Sequence, residues 1–172
     1  MAEKIEQVIG VIGAGSMGAA IARGLVASGA AAPEHVLVAN PSAGKLAPLA
    51  EIGIKTFTSN DELLAQDPDA VVLAVKPQVL PGVLAEHTEG LAGRLVISIA
   101  AGVSVASLES ALAASRVVRA MPNLPVQVLS GATAVCPGSR ATKEDLDLSL
   151  AIFSALGSAV VLREDQAAHS GG

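Results

Sequence analysis

The stretch Gly13-Ala14-Gly15-Ser16-Met17-Gly18 decides the fold of this chain. It has the spacing G-x-G-x-x-G, it follows the apolar run Gln7–Ile12, and it opens a helical pattern that ends at Gly29. A short β-branched run predicts a buried strand, and apolar residues three and four positions apart predict an amphipathic helix. The strand, the glycine turn and the helix together predict a unit that binds a dinucleotide.

Each glycine of this motif has its own physical role. We expect Gly13 to allow the tight turn, Gly15 to let the backbone approach a pyrophosphate, and Gly18 to let the helix pack on the strand. The first amides of the helix then face the phosphates with a partial positive charge. The alternative is a glycine-rich turn with no ligand. The predicted cofactor contacts in this segment are Ile12, Gly13, Ala14, Gly15, Ser16, Met17 and Gly18.

Short apolar runs alternate with helical patterns along the rest of the chain. The run Ala70–Val75 has almost no polar residue, which is typical of a parallel strand covered on both faces. Ser42, Ser59 and Thr142 stand where helix caps are expected. The alternation predicts an α/β fold over residues 1–163, a doubly wound, mostly parallel sheet of the Rossmann type. We expect residues 164–172 to form a polar tail that leaves this domain.

The end of the second predicted strand, His35–Ala39, indicates which dinucleotide is preferred. NAD-preferring folds place Asp or Glu there to bond the ribose hydroxyls. This chain has Asn40, Pro41 and Ser42 instead, and we predict that all three contact the cofactor. None of them carries a charge that would repel a 2′-phosphate. Lys45, one helical turn further on, is able to pair with that phosphate. We therefore predict NADP(H), with NAD(H) possible, although Asn-Pro is also an ordinary turn opener.

Further candidate residues follow other predicted strands, at the carboxyl edge where ligands bind to a parallel sheet. Lys76 is a candidate catalytic acid, although a solvated lysine is the commoner case. Asn123 is a candidate for positioning the substrate or the nicotinamide carboxamide, because a buried amide must be hydrogen-bonded. Small residues after the next strand would let a nicotinamide ring lie close, and tight helix packing explains them equally well. The predicted cofactor contacts in these loops are Ala74, Val75, Lys76, Pro77, Ile99, Ala100 and Ala101.

Composition excludes several other kinds of function. A length of 172 residues suits one ordinary domain and is short for two. The net charge of −5 and the aromatic content of 1% disfavour a nucleic-acid partner, which needs cationic and stacking side chains. No apolar run reaches the ~18 residues of a membrane span, and the three histidines share no metal-ligand spacing. The one cysteine, Cys136, excludes an internal disulfide framework and favours the cytoplasm.

Four blocks of sequence together resemble the pyrroline-5-carboxylate reductases. They are Ile9–Gly18, Ala74–Gln78, Ser98–Ser104 and Arg119–Pro125, in this order and spacing. Each block by itself is shared with the hydroxyacid dehydrogenases, so the combination carries the resemblance. Leu124 is a mild departure, since the family usually has Thr there.

The resemblance implies the last step of proline biosynthesis, in which NAD(P)H reduces the cyclic imine 1-pyrroline-5-carboxylate to L-proline. It also implies a dinucleotide contact from Asn60. Family members continue with a helical domain that forms the homo-oligomer and much of the substrate pocket, so we expect this chain alone to be weakly active or inactive. Two alternatives stay open: a relative of the β-hydroxyacid or F420-dependent NADP oxidoreductases, and a non-catalytic module that senses dinucleotides.

Overall fold

Strands and helices alternate as the sequence predicts. The computed structural model describes residues 4–122 and 131–166. Within these residues the strands are β1 (Ile9–Ile12), β2 (Val36–Ala39), β3 (Lys55–Phe57), β4 (Ala70–Leu73), β5 (Leu95–Ser98), β6 (Arg116–Pro122), β7 (Gly131–Pro137) and β8 (Gly157–Val161). The helices are α1 (Ser16–Ala27), α2 (Ala43–Glu51), α3 (Asn60–Leu64), α4 (Leu80–Leu91), α5 (Val105–Ala111) and α6 (Lys143–Ser154).

The described strands form one sheet in the order β3-β2-β1-β4-β5-β6-β7-β8. Every neighbouring pair is parallel except β6 and β7, which are antiparallel. The chain winds outward in one direction from β1 and in the other direction from β4. The doubly wound, mostly parallel Rossmann-type sheet predicted from the sequence is therefore confirmed.

Both faces of the sheet are covered by helices. Alternate residues of the central strands contribute to two separate apolar clusters, as the two-residue period of a strand requires. Ile21 of α1 and Phe153 of α6 pack in the first cluster, and both are 0% exposed. Leu84 of α4 and Leu108 of α5 pack in the second cluster, on the opposite face. This arrangement explains why β1, β2, β4 and β5 are buried at every position.

Two of the three predicted helix caps are present. Ser59 Oγ accepts the N–H of Glu62 at 3.3 Å, and Thr142 Oγ1 accepts the N–H of Asp145 at 3.1 Å. The prediction for Ser42 is wrong, because its side chain makes no capping hydrogen bond although it precedes α2. Its backbone carbonyl instead accepts the N–H of Lys45 at 3.2 Å.

Some boundaries shift in ways that affect the site. β4 ends at Leu73, so Ala74 and Val75 belong to the loop rather than to the strand. This difference arises because an apolar run does not show where the strand itself stops. α4 runs from Leu80 to Leu91, and φ of −117° and ψ of 20° at His87 mark a kink within it.

Candidate functional site

Gly13 and Gly18 close the turn between β1 and α1. Gly13 has φ of +107°, and a Cβ there would lie 2.7 Å from the carbonyl oxygen of Ala74. A Cβ at Gly18 would overlap the carbonyl oxygen of Gly13. A side chain at Gly18 would therefore push α1 away from the turn, which is the packing role that the motif predicts. A side chain at Gly13 would push the turn away from the loop after β4.

Gly15 differs from these two glycines. It has φ of −73° and ψ of −169°, a backbone conformation that other residues adopt easily. A Cβ built on it would meet nothing within 4 Å. The fold itself therefore does not require glycine here. The open space beside Gly15 fits the prediction that a pyrophosphate approaches the backbone at this point.

The amino-terminal end of α1 presents unused donors beside this space. Gly15 is the N-cap residue, no side chain caps the helix, and no acidic residue stands in its first turn. The first amides of a helix have no acceptor within the helix. The end of α1 is therefore suited to an anion.

The glycine turn lies where the winding of the sheet changes direction. The N–H of Gly13 donates to Ala39 of β2 at 2.9 Å, and the N–H of Ala74 donates to Ile12 of β1 at 2.8 Å. These bonds bring the loops after β1, β2 and β4 side by side. Ligands of open α/β sheets bind in the crevice at such a switch point.

Asn40, which follows β2, holds the glycine turn. Its Oδ1 accepts the N–H of Ala14 at 3.1 Å, and its Nδ2 donates to the carbonyl of Ser42 at 3.4 Å. Asn40 is partly buried, whereas Pro41, Ser42 and Lys45 are exposed. The end of β2 is thus neutral, with an exposed cation one turn further along the chain.

The loop after β4 contains Lys76. Its backbone carbonyl accepts the N–H groups of Val79 and Leu80 at 2.9 and 3.1 Å, so the residue starts the turn into α4. Its side chain is exposed, and so is Pro77. Ala74 and Val75 are partly buried between this turn and the glycine turn. Lys76 is therefore a solvated cation at the carboxyl edge of the sheet, where ligands bind.

The loop after β5 is compact at its start. The N–H of Ile99 donates to Leu73 of β4 at 3.3 Å, and the buried Ser98 Oγ accepts the N–H of Ala100 at 3.3 Å. Ala101 and Gly102 are exposed, and Gly102 has φ of +77°. The structure therefore brings residues 99–101 to the same edge as the glycine turn, beside β4.

Asn60 begins α3 after the end strand β3 and contacts a residue that the sequence did not single out. Its Nδ2 lies 3.5 Å from Nε2 of His87, whose Nδ1 lies 3.4 Å from Oδ1 of Asp61. His87 is 5% exposed at the kink of α4. A lone histidine in a helical pattern gives no sequence signal for such a contact, because its partners are 26 and 27 positions away.

The remaining predicted site residue, Asn123, lies outside the described residues, as do Leu124 and Pro125. In the part of the chain that the structure describes, no group of three His, Cys, Asp or Glu side chains could hold a metal ion. No helix in that part is long and apolar enough to cross a membrane.

The glycine turn, the uncapped end of α1 and the switch point define the class of this protein: a Rossmann-type dinucleotide-binding domain. The family described as "NADP oxidoreductase coenzyme F420-dependent" has a model that matches residues 8–102. The chain belongs to this family of oxidoreductases.

The resemblance to pyrroline-5-carboxylate reductases is also confirmed. The chain is 43% identical to that enzyme of Methanosarcina acetivorans over 161 residues, and this match covers 92% of the chain and 59% of the relative. It is 44% identical to the Escherichia coli enzyme over 163 residues, covering 93% of the chain and 60% of the relative. The chain thus spans about three fifths of the length of these curated relatives.

Solved structures agree with this resemblance. A pyrroline-5-carboxylate reductase from Coxiella burnetii has a TM-score of 0.88 and 37% identity, covering 94% of the chain and 61% of that structure. A pyrroline carboxylate reductase from Plasmodium falciparum, solved with NADP bound, has a TM-score of 0.83 and 26% identity, covering 95% of the chain and 60% of that structure.

Proposed function

We propose that this chain is the cofactor-binding part of an NADPH-dependent pyrroline-5-carboxylate reductase. The observation that carries the proposal is the open space at Gly15, beside the uncapped amides of α1 and the neutral Asn40. Space next to free amides suits a pyrophosphate, and a strand end without a carboxylate suits a 2′-phosphate. The identity to curated reductases of that name supports the substrate.

Binding would divide between two groups of residues. The glycine turn and Asn40 would hold the phosphates and the adenosine half, while Ala74–Pro77 and Ile99–Ala101 would lie along the nicotinamide half. Asn60 remains a predicted dinucleotide contact, and its Nδ2 lies 3.5 Å from Nε2 of His87. NADPH, when bound, supplies the hydride.

In the proposed reaction the imine carbon of 1-pyrroline-5-carboxylate gains the hydride and its nitrogen keeps a proton, giving L-proline and NADP⁺. The imine is already electrophilic when its nitrogen is protonated, so the chain need not donate a proton for hydride transfer. Positioning therefore accounts for most of the catalysis expected of this chain. Lys76 stays a candidate acid and Asn123 a candidate for orienting the reactants.

The chain by itself is expected to bind NADPH but to turn over slowly or not at all. It spans about three fifths of its curated relatives, and we propose that the rest of those proteins completes the substrate pocket and the homo-oligomer. We also propose a cytoplasmic location, consistent with the reduced, buried thiol of Cys136.

Titration of the 172-residue chain with NADPH, followed by nicotinamide fluorescence, tests the cofactor part of the proposal. Saturable binding that is tighter for NADPH than for NADH supports it, and no binding of either overturns it. A steady-state assay with 1-pyrroline-5-carboxylate tests the second part. Turnover near the ~10 per second of a typical enzyme would contradict an incomplete pocket.

Substrate choice separates this proposal from its main alternative. The description of the matched family favours a reaction that uses coenzyme F420 as the second reactant. A protein that spans the full length of the reductases and contains this chain should oxidise NADPH with the imine and not with oxidised F420. The opposite result would establish the alternative.

A further inference from the structure

Glu164, which follows β8, joins two segments that are distant in sequence. Its Oε2 accepts the N–H of Val105 at 2.8 Å and the Nη1 of Arg119 at 2.6 Å. These partners are 59 and 45 positions away along the chain. No spacing in the sequence indicates either contact.

The two partners of Glu164 flank the loop between β5 and α5. Val105 is the first residue of α5, so its N–H marks the point where residues 99–104 enter the helix. Arg119 of β6 pairs with Ser98, the last residue of β5, where the same loop begins. Val118 and Ala120, the neighbours of Arg119 in β6, pack in the first cluster, on the face of the sheet that carries α1. Because side chains alternate along a strand, Arg119 points to the opposite face, which carries α5.

The contact is held by charge as well as by geometry. The Arg119 side chain is 13% exposed and the Glu164 side chain 34% exposed. The Nε of Arg119 is buried and has no acceptor among the described residues, so Glu164 supplies the ion pair of this guanidinium. Removing the carboxylate would leave a mostly buried cation without its counter-charge, which is costly.

Glu164 also satisfies a donor that the local sequence leaves open. The N-cap side chain of α5, Ser104 Oγ, accepts the N–H of Ser107 at 3.1 Å and not that of Val105. The amide of Val105 therefore depends on the carboxylate of Glu164, which follows β8 at the end of the sheet. The Glu164 side chain thus fixes the end of the loop between β5 and α5. Through Arg119 it also holds β6, which lies beside the start of that loop.

We propose that Glu164 is a positioning residue for the nicotinamide half of the dinucleotide. This inference rests on the proposed function, in which residues 99–101 lie against that half. Glu164 contacts neither the glycine turn nor Asn40, which would hold the adenosine half. Its loss should therefore weaken binding of the nicotinamide ring and leave recognition of the phosphates and the adenosine unchanged.

Two ligands separate this role from a purely structural one. NADPH carries the nicotinamide ring, and 2′-phospho-ADP-ribose is the same molecule without that ring. We expect Glu164→Ala to raise the Kd of NADPH about tenfold or more while the Kd of 2′-phospho-ADP-ribose stays within about twofold. Glu164→Gln keeps an oxygen for the Val105 amide but loses the charge that Arg119 needs, so its effect should be intermediate. If the alanine variant does not fold, the glutamine variant carries the test.

Asp165→Asn is the matched control, because Asp165 is the next residue and its side chain is 71% exposed beside Arg163. It should leave both dissociation constants unchanged. Equal weakening of both ligands by the Glu164 variants, or unchanged NADPH binding, would overturn the inference. Wild-type chain that binds neither ligand would instead overturn the proposed function, and this inference with it.

Discussion

The side-chain oxygen of Asn40 accepts the backbone N–H of Ala14 at 3.1 Å, and this bond ties the end of β2 to the glycine turn. The residue at position 40 therefore holds the glycine turn and, under the proposed function, would also set the charge beside the ribose. These two roles can be separated by substitution, because an aspartate keeps the accepting oxygen and changes only the charge.

Asn40→Asp should shift the preference of the chain from NADPH toward NADH. The carboxylate would still accept the Ala14 amide, but it would repel the 2′-phosphate and bond the ribose hydroxyls of NADH. We expect the ratio of the two dissociation constants to change by about tenfold or more, measured by fluorescence titration. Gln66→Glu is the control, since it adds the same charge at an exposed position before β4. An unchanged ratio in the aspartate variant would disprove a role for this position in nucleotide choice.

Alanine at Gly18 should destabilise the fold, whereas alanine at Gly15 should not. Gly15→Ala meets nothing within 4 Å, so the free energy of unfolding should stay within about 0.5 kcal/mol, while NADPH binding is lost because the methyl group fills the open space. Gly18→Ala overlaps the backbone of Gly13 and should cost about 1–3 kcal/mol. Urea unfolding and NADPH titration measure the two effects.

Gly82→Ala provides the comparison for both of these variants. Gly82 is exposed on α4, and a Cβ there also meets nothing within 4 Å. This change should stabilise the chain by about 0.5–1 kcal/mol through helix propensity and leave binding intact. Normal NADPH affinity in the Gly15 variant would remove the main support for a pyrophosphate at that position.

Asp145→Ala should destabilise the fold without altering the cofactor site. Its Oδ2 accepts Nε of Arg116 at 2.7 Å and the N–H of Thr142 at 3.0 Å, and its side chain is 7% exposed. Losing the ion pair and the capping box together should cost about 2–3 kcal/mol in urea unfolding. Glu144→Ala, at the exposed neighbour, should cost less than about 1 kcal/mol. Similar losses of unfolding free energy in the two variants would mean that the buried pair of Asp145 and Arg116 stabilises the fold no more than an exposed carboxylate does.

The thiol of Cys136 should make stability fall with rising pH. Burial raises its pKa, and the Arg119 guanidinium beside it only partly offsets this. The folded chain therefore holds the proton to higher pH than the unfolded chain does. Its contribution is complete below the unfolded thiol pKa of about 8.5 and is lost as the pH rises from there through the folded value.

Urea unfolding of the wild type and of Cys136→Ala, from about pH 7 to about pH 10, isolates this contribution. The difference between the two proteins in the free energy of unfolding should shrink toward the alkaline end. A difference that is constant with pH would show that the thiol titrates equally in both states. The buried position also predicts slow reaction with thiol reagents until the chain unfolds.

Much of the fold and part of the site could be predicted because they depend on local patterns. The apolar run at β4 and the glycine spacing after β1 are set by short-range geometry that sequence shows directly. Even so, Ala74 and Val75 lie in the loop after β4 and not in the strand that the sequence predicts. An apolar residue is found in a buried loop as readily as in a strand. The lone cysteine, Cys136, is packed in the core at 1% exposure.

The contacts that sequence could not reveal join residues far apart. His87 lies at the kink of α4, and its Nε2 is 3.5 Å from Nδ2 of Asn60 at the start of α3. Glu164 reaches Val105 only because β7 and β8 run opposite to β6 and carry the chain back over the face of α5. Ser42 has the residue type and the position of a cap, but its side chain makes no capping bond, and nothing in the sequence indicates this.

The change of winding between β1 and β4 has an evolutionary consequence. Under the proposed function, the adenosine half of NADPH would lie against the segments up to β3 and the nicotinamide ring against the segments that follow β4. Substitutions at the end of β2 would then alter the choice between NADPH and NADH without disturbing the place of hydride transfer. A lineage built on this topology could therefore exchange one dinucleotide for the other while the reaction stays the same.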